Sequence, residues 1–155
     1  MKRFNSIEEM QPYFNNRTNT YEFFEKGGLL NIEINFNMDV KSNILAGNID
    51  ARNITAYNIT AGRIDACNIT AWEIMANDIY VGNITATNIT ALNIDARNIE
   101  GTVINARNII FYSVCFAHKN INCKSIKGRH ENSRYFSLDG EVIIKEDGVE
   151  IGQTI

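Results

Sequence analysis

From residue 44 onward a large aliphatic side chain returns every five positions: Ile44, Ile49, Ile54, Ile59, Ile64, Ile69, Ile74, Ile79, Ile84, Ile89, Ile94, Ile99, Ile104, Ile109 and Val114. These are fifteen units without a gap. Two residues after each stands a small one, Ala at eleven of the fifteen, with Val81, Gly101, Phe111 and Phe116 as departures. Ten of the fifteen residues before the aliphatic position are Asn, so the unit reads Asn-Ile-x-Ala-x. Helical and flat-strand periods of 3.6 and 2 would each scatter this column over several faces. Within one unit, however, Ile and Ala are two apart, so a short extended segment turns both inward and the residue between them outward. The remaining two positions must turn a corner. Asn suits a corner because it tolerates left-handed backbone and bonds to its local backbone.

On these residues the chain resembles the pentapeptide-repeat family over about half its length, from Asn43 to roughly Ala117. The resemblance implies an all-β, right-handed quadrilateral β-solenoid, with four five-residue sides to a coil. The family unit places its small residue before the large central one, whereas here Ile comes first and Ala second. Putting Ile at the family's centre would drive Arg52, Trp72 and Arg97 inward at a large desolvation cost, so Ala is placed there instead.

Four units per coil would stack residues twenty apart. Asn48, Asn68, Asn88 and Asn108 then form one column whose side-chain amides can bond up the axis. Fifteen units give nearly four coils, a stub of about 18 Å at the usual strand spacing. The same phasing aligns Trp72, Leu92 and Tyr112 as an exposed apolar stripe, with Tyr57 at the next corner, and exposed aromatic stripes mark contact surfaces. It leaves only Thr70 and Thr90 of the Thr residues after Ile in a common column, which speaks against a flat ice-binding ladder.

The flanks should cap this stub, because open coil ends expose pairing edges. In residues 1–42, Ser6 and Glu9 have capping-box spacing ahead of Pro12, which predicts a short helix. Thr20 to Lys26 suggests a second, ended by Gly27 and Gly28. Leu30, Ile32, Ile34, Phe36, Met38 and Val40 alternate with polar residues, which predicts one half-buried strand. After the solenoid of residues 43–117, the series Phe111, Phe116, Ile121, Ile126 predicts a wider terminating coil in residues 118–155. Glu141 to Lys145 and Gly148 to Ile151 around Asp147-Gly148 predict a β-hairpin.

Composition adds exclusions. The chain has 155 residues, a net charge of -3, 24 Ile, 22 Asn and a single Pro and Trp. No apolar run approaches the roughly 18 residues of a membrane helix, and Glu8, Glu9 and Gln11 stand where a signal peptide has its apolar core. With three scattered cysteines, Cys67, Cys115 and Cys123, the expected setting is the reducing cytoplasm.

Cys115, His118, Cys123 and His130 are the right residue types for zinc but match no zinc spacing, and Cys123 reads more simply as a buried spacer; no metal or cofactor is expected. Lys119, Lys124, Lys127, Arg129 and Arg134 form a basic run that could meet nucleic acid, yet the acids after Tyr135 neutralise it. Some members of the resembled family imitate DNA and bind type II topoisomerases. The repeat carries six acids against four bases, a net -2, too weak for phosphate imitation. No trio of acid, base and nucleophile stands together. The expectation is a non-enzymatic structural or protein-interaction module, bacterial or phage-derived by the resemblance, with no small-molecule substrate. Its partner would be a protein or a second copy, as a dimer, set against topoisomerase mimicry or direct nucleic-acid contact through Lys124, Lys127, Arg129 and Arg134.

Overall fold

The computed structural model of the chain describes residues 1–146 and 149–153. It is an all-β solenoid of about seven stacked turns with one small N-terminal helix. In chain order the elements are β1 (Lys2–Phe4), α1 (Ile7–Met10), a 3-10 turn (Gln11–Tyr13), β2 (Phe14–Asn15), β3 (Thr20–Glu22), β4 (Phe24–Glu25), β5 (Gly28–Leu29), β6 (Ile32–Ile34), β7 (Met38–Asp39), β8 (Asn43–Leu45), β9 (Asn48–Thr55), β10 (Asn58–Cys123), β11 (Ser125–Gly128), β12 (Arg134–Ser137), β13 (Val142–Glu146) and β14 (Val149–Gln153). β10 is one long extended run that winds round the axis coil after coil.

The inward pattern is as the periodicity predicts. Ile44, Ile49, Ile54, Ile59, Ile64, Ile69, Ile84, Ile89 and Ile94 are all at most 1% exposed, and most of the Ala column is buried beside them. Arg52, Trp72 and Arg97 lie outside. Each buried Ile contributes about 1.5–3 kcal/mol relative to exposure, so these columns dominate the stability of the stack.

The coil, however, has three sides and not four. Ile59 pairs with Ile44, Ile64 with Ile49 and Ile69 with Ile54, all in parallel register fifteen residues apart. We call the sides A (beginning with β8 and Ile44), B (beginning with Ile49) and C (beginning with Ile54). The fifteen repeat units therefore form five coils, about 24 Å of stack at the usual strand spacing. A five-residue period is equally compatible with either closure.

Three-sided closure also moves the amide ladder. The predicted column Asn48, Asn68, Asn88, Asn108 falls on different sides. The ladder that forms runs along side C: Asn53 donates to Asn37 at 2.7 Å, Asn68 to Asn53 at 2.7 Å, Asn83 to Asn68 at 2.6 Å and Asn98 to Asn83 at 2.7 Å. A shorter one on side B joins Asn108 to Asn93 and Asn93 to Asp78. Among the described residues only Asn19 combines a side chain with positive φ, at 50°. The corner asparagines thus serve by their amides and not by left-handed backbone.

At the base, the predicted second helix is a strand. β3 continues side A beneath β8, with Tyr21 opposite Ile44, and Gly27 and Gly28 (φ 152° and 122°) make the turn into β5, whose Gly28 pairs with Glu25 of the antiparallel β4. Tyr21 and Phe23 are buried there, a gain that outweighs local helix preference. The predicted single strand from Leu30 to Val40 is bent into β6 and β7, two sides of a coil under β9. α1 forms after Ser6, which makes no side-chain cap bond; Glu9 instead accepts from the Asn5 backbone N–H at 2.8 Å. Met10 and Phe4 close the lower end of the core.

At the top, Ile121 lies seventeen residues above Ile104, and Ile126 pairs with Ile109, also seventeen away. The inward residues there are Phe111, Cys115, Ala117, Ile121 and Cys123. Phe116, predicted to continue an inward series, is only half-buried. Two corners have gained a residue each, which turns Cys115 and Ala117 inward in place of Val114 and Phe116. β13 continues side A and pairs antiparallel with β14; the predicted Asp147-Gly148 turn itself lies outside the described residues.

Candidate functional site

Three-sided phasing redistributes every outward side chain. Of the ten charged residues between Asn43 and Ala117, seven (Asp50, Arg52, Arg63, Asp65, Asp78, Asp95 and Arg97) fall on side B. Side A carries Glu73 and Arg107, and side C only Glu100. The solenoid is a prism with one charged face and two nearly uncharged ones. This sorting appears at a fifteen-residue phase and vanishes at twenty, so it was a readable signal of coil size that the stacking assumption concealed.

On side B ion pairs offset part of the charge, while Asp50 stands in register between Glu33 and Asp65. Arg63 meets Asp65 at 3.1 Å and lies over the Tyr80 ring, 4.3 Å from its centre. Arg3 meets Glu33 at 2.9 Å and Arg129 meets Asp95 at 2.6 Å. The basic run of the C-terminal flank is dispersed. Lys124 follows side A above Arg107, Lys127 stands beside Ile110 on side B, Arg129 is held by Asp95, and Arg134 pairs beside Val114 on side C.

The expected apolar stripe is also dispersed. Trp72 occupies the corner from C to A, Leu92 the corner from A to B, and Tyr112 the corner from B to C. Tyr57 is not at a neighbouring corner; it sits one coil below Trp72, the rings parallel within 9° and 4.5 Å between centres. The Trp72 backbone N–H donates to the Tyr57 carbonyl at 2.7 Å, which fixes this stacking. Trp72 remains 62% exposed. Along side A, Met75 and Leu92 are about half exposed. An open hollow of about 490 Å³ adjoins Leu92, lined also by Ala106, Cys123 and Ile143 and rimmed by Arg107 and Lys124. Side C carries Thr55 and Thr70 in register, with Thr85 fifteen residues on, so a short Thr column does form there.

The four zinc candidates are not gathered. Cys115 and Cys123 face the core, where burial pushes their thiols up to about 12 and about 11. His118 is exposed beside Glu100 at 3.9 Å, and His130 packs against Tyr112. Among the described residues no three His, Cys, Asp or Glu side chains stand together as a metal site would need. None of their helices is long and apolar enough to cross a membrane.

Comparisons with protein-family models, with curated proteins and with solved structures return no match to this chain.

Proposed function

We propose that the protein is a non-enzymatic structural module, a three-sided variant of the pentapeptide-repeat solenoid, that associates with a second copy of itself through side A. The carrying observation is that Met75 and Leu92 are about half exposed along side A and that Leu92 borders an open, mainly apolar hollow rimmed by Arg107, Lys124 and Lys145. Large apolar groups grouped on such a face have most to gain from being covered. Two flat faces of identical chains can meet about a two-fold axis, each supplying the same patch. The unbroken five-residue period supports the family reading, and three free thiols, two of them buried, suit a reducing compartment.

Light scattering tests the reading. The expected solution mass is twice that of the 17.5 kDa chain, returning to a single chain when Met75 and Leu92 are both replaced by Ser. A monomeric wild type, or a dimer indifferent to the double substitution, rejects side A.

A further inference from the structure

We propose that the open face of Trp72 is a stacking subsite for a pyranose ring of a neutral glycan, held over the corner between sides C and A. Tyr57 covers one face of the indole. The residue one coil further on is Thr87, exposed and too short to cover the other face, and Thr102 follows it on the next coil. The ring is thus supported from below and open above. The faces of a pyranose present C–H groups that pack on an aromatic face, whose edge-and-face charge distribution favours such contacts.

The surroundings match the rest of a sugar. From Asn53 to Ala86, side C displays Asn53, Thr55, Asn68, Thr70, Asn83 and Thr85 and no charge. Each ladder amide spends one N–H and one acceptor position on its neighbours above and below. The second N–H of each remains, and the Thr hydroxyls both donate and accept. These are groups that recognise hydroxyls, on a rigid face where few side chains must be ordered on binding. Glu73 follows Trp72 in the chain, and Asp39 and Glu100 stand in line with the Thr column at its two ends, so the carboxylates bordering this face accept from hydroxyls and repel an anionic sugar. Charge complementarity therefore selects a neutral glycan. Trp72 and Leu92 stand at the two corners that bound side A, so the double substitution at Met75 and Leu92 is needed to tell this subsite from association through that side.

Trp72 is the only tryptophan in the chain, so its emission reports on this subsite alone. Full-length protein is titrated with neutral oligosaccharides built from glucose or N-acetylglucosamine, with an oligomer of uronic acid as the anionic comparison. The expected result is a saturable change in Trp72 emission with at least one neutral oligomer in the millimolar range or below. The uronic oligomer should bind about tenfold or more weakly. Thr87→Tyr, which places a ring over the open face while retaining Trp72, should abolish the response with the circular dichroism of the solenoid unchanged. Calorimetry should find no binding to Trp72→Ala. The proposal is overturned if no neutral oligomer perturbs the emission, if the uronic oligomer binds equally well, or if Thr87→Tyr binds as the wild type does. An emission that changes only with protein concentration places a second copy on the indole and likewise overturns it. Loss of the dimer in the Met75 and Leu92 variant with sugar binding intact would separate the two sites.

Discussion

The central coils and the coils at either end solve the same closure differently. In the middle, fifteen residues suffice: each side turns Ile and Ala inward and each corner takes two residues. At the top, the turn from Ile104 to Ile121 takes seventeen and carries Phe111, Cys115 and Ala117 inside. At the base, Ile32 to Ile49 is again seventeen, and Ile34 and Val40 stand where the repeat has Ala. Coil circumference and core volume rise together. Val81 shows the tolerance, since one branched residue in the Ala column is absorbed without an added corner residue.

The most direct way to break this link is to exchange the fillings. Phe111 is fully buried, and Phe111→Ala leaves a cavity that the longer coil cannot close, with an expected loss of about 3–5 kcal/mol. Ala86→Phe in a central coil should cost about 1–3 kcal/mol, because a fifteen-residue turn has no slack for a ring. Urea denaturation of both variants measures the two costs. Free acceptance of Phe at position 86 would show that corner length does not follow core volume.

A second contrast lies in chemistry. Cys115 and Cys123 face the core of the upper coil, while Cys67 in the central coils is exposed. Burial raises both inner thiols, with the nearby Cys123 adding to the shift at Cys115. Their folded-state values lie above those of the unfolded chain, so the unfolded state loses its protons first as pH rises. The stabilisation is complete below about pH 9 and is lost progressively from there through pH 11–12. Each thiol accounts for at most about 1.4 kcal/mol per pH unit in that window. Urea midpoints from pH 8 to 10.5 should fall, and Cys115→Ala should flatten the decline. An unchanged slope in that variant would mean that the thiol does not remain protonated in the folded coil.

Much of this was legible in the chain. The five-residue period, the inward Ile and Ala, and the use of Asn amides as an axial ladder all follow from local spacing. The number of sides does not, because one unit looks the same in a three-sided and a four-sided coil. That information resides in pairs fifteen residues apart, such as Asp50 with Asp65 and Tyr57 with Trp72, and reading them at twenty assembled a stripe from three separate corners. The base departs from its local pattern for another reason. Tyr21 and Phe23 gain more from the open end of the core than Thr20 to Lys26 gains from a helix, and that end is created by residues far along the chain.

The amide ladder gives the smallest effect and the sharpest distinction between the two closures. Asn68 donates to Asn53 and accepts from Asn83, both contacts near 2.7 Å and partly solvated. Asn68→Ala should therefore cost about 1–2 kcal/mol. Asn88 stands on side A between Glu73 and Val103 and joins no ladder, so Asn88→Ala should change stability by no more than about 0.5 kcal/mol. In a twenty-residue coil the ordering would differ, because Asn88 would lie between Asn68 and Asn108 in the interior of a single column. Equal losses from the two variants would thus argue for four sides, and a loss at Asn68 alone can come only from a coil that returns to register every fifteen residues.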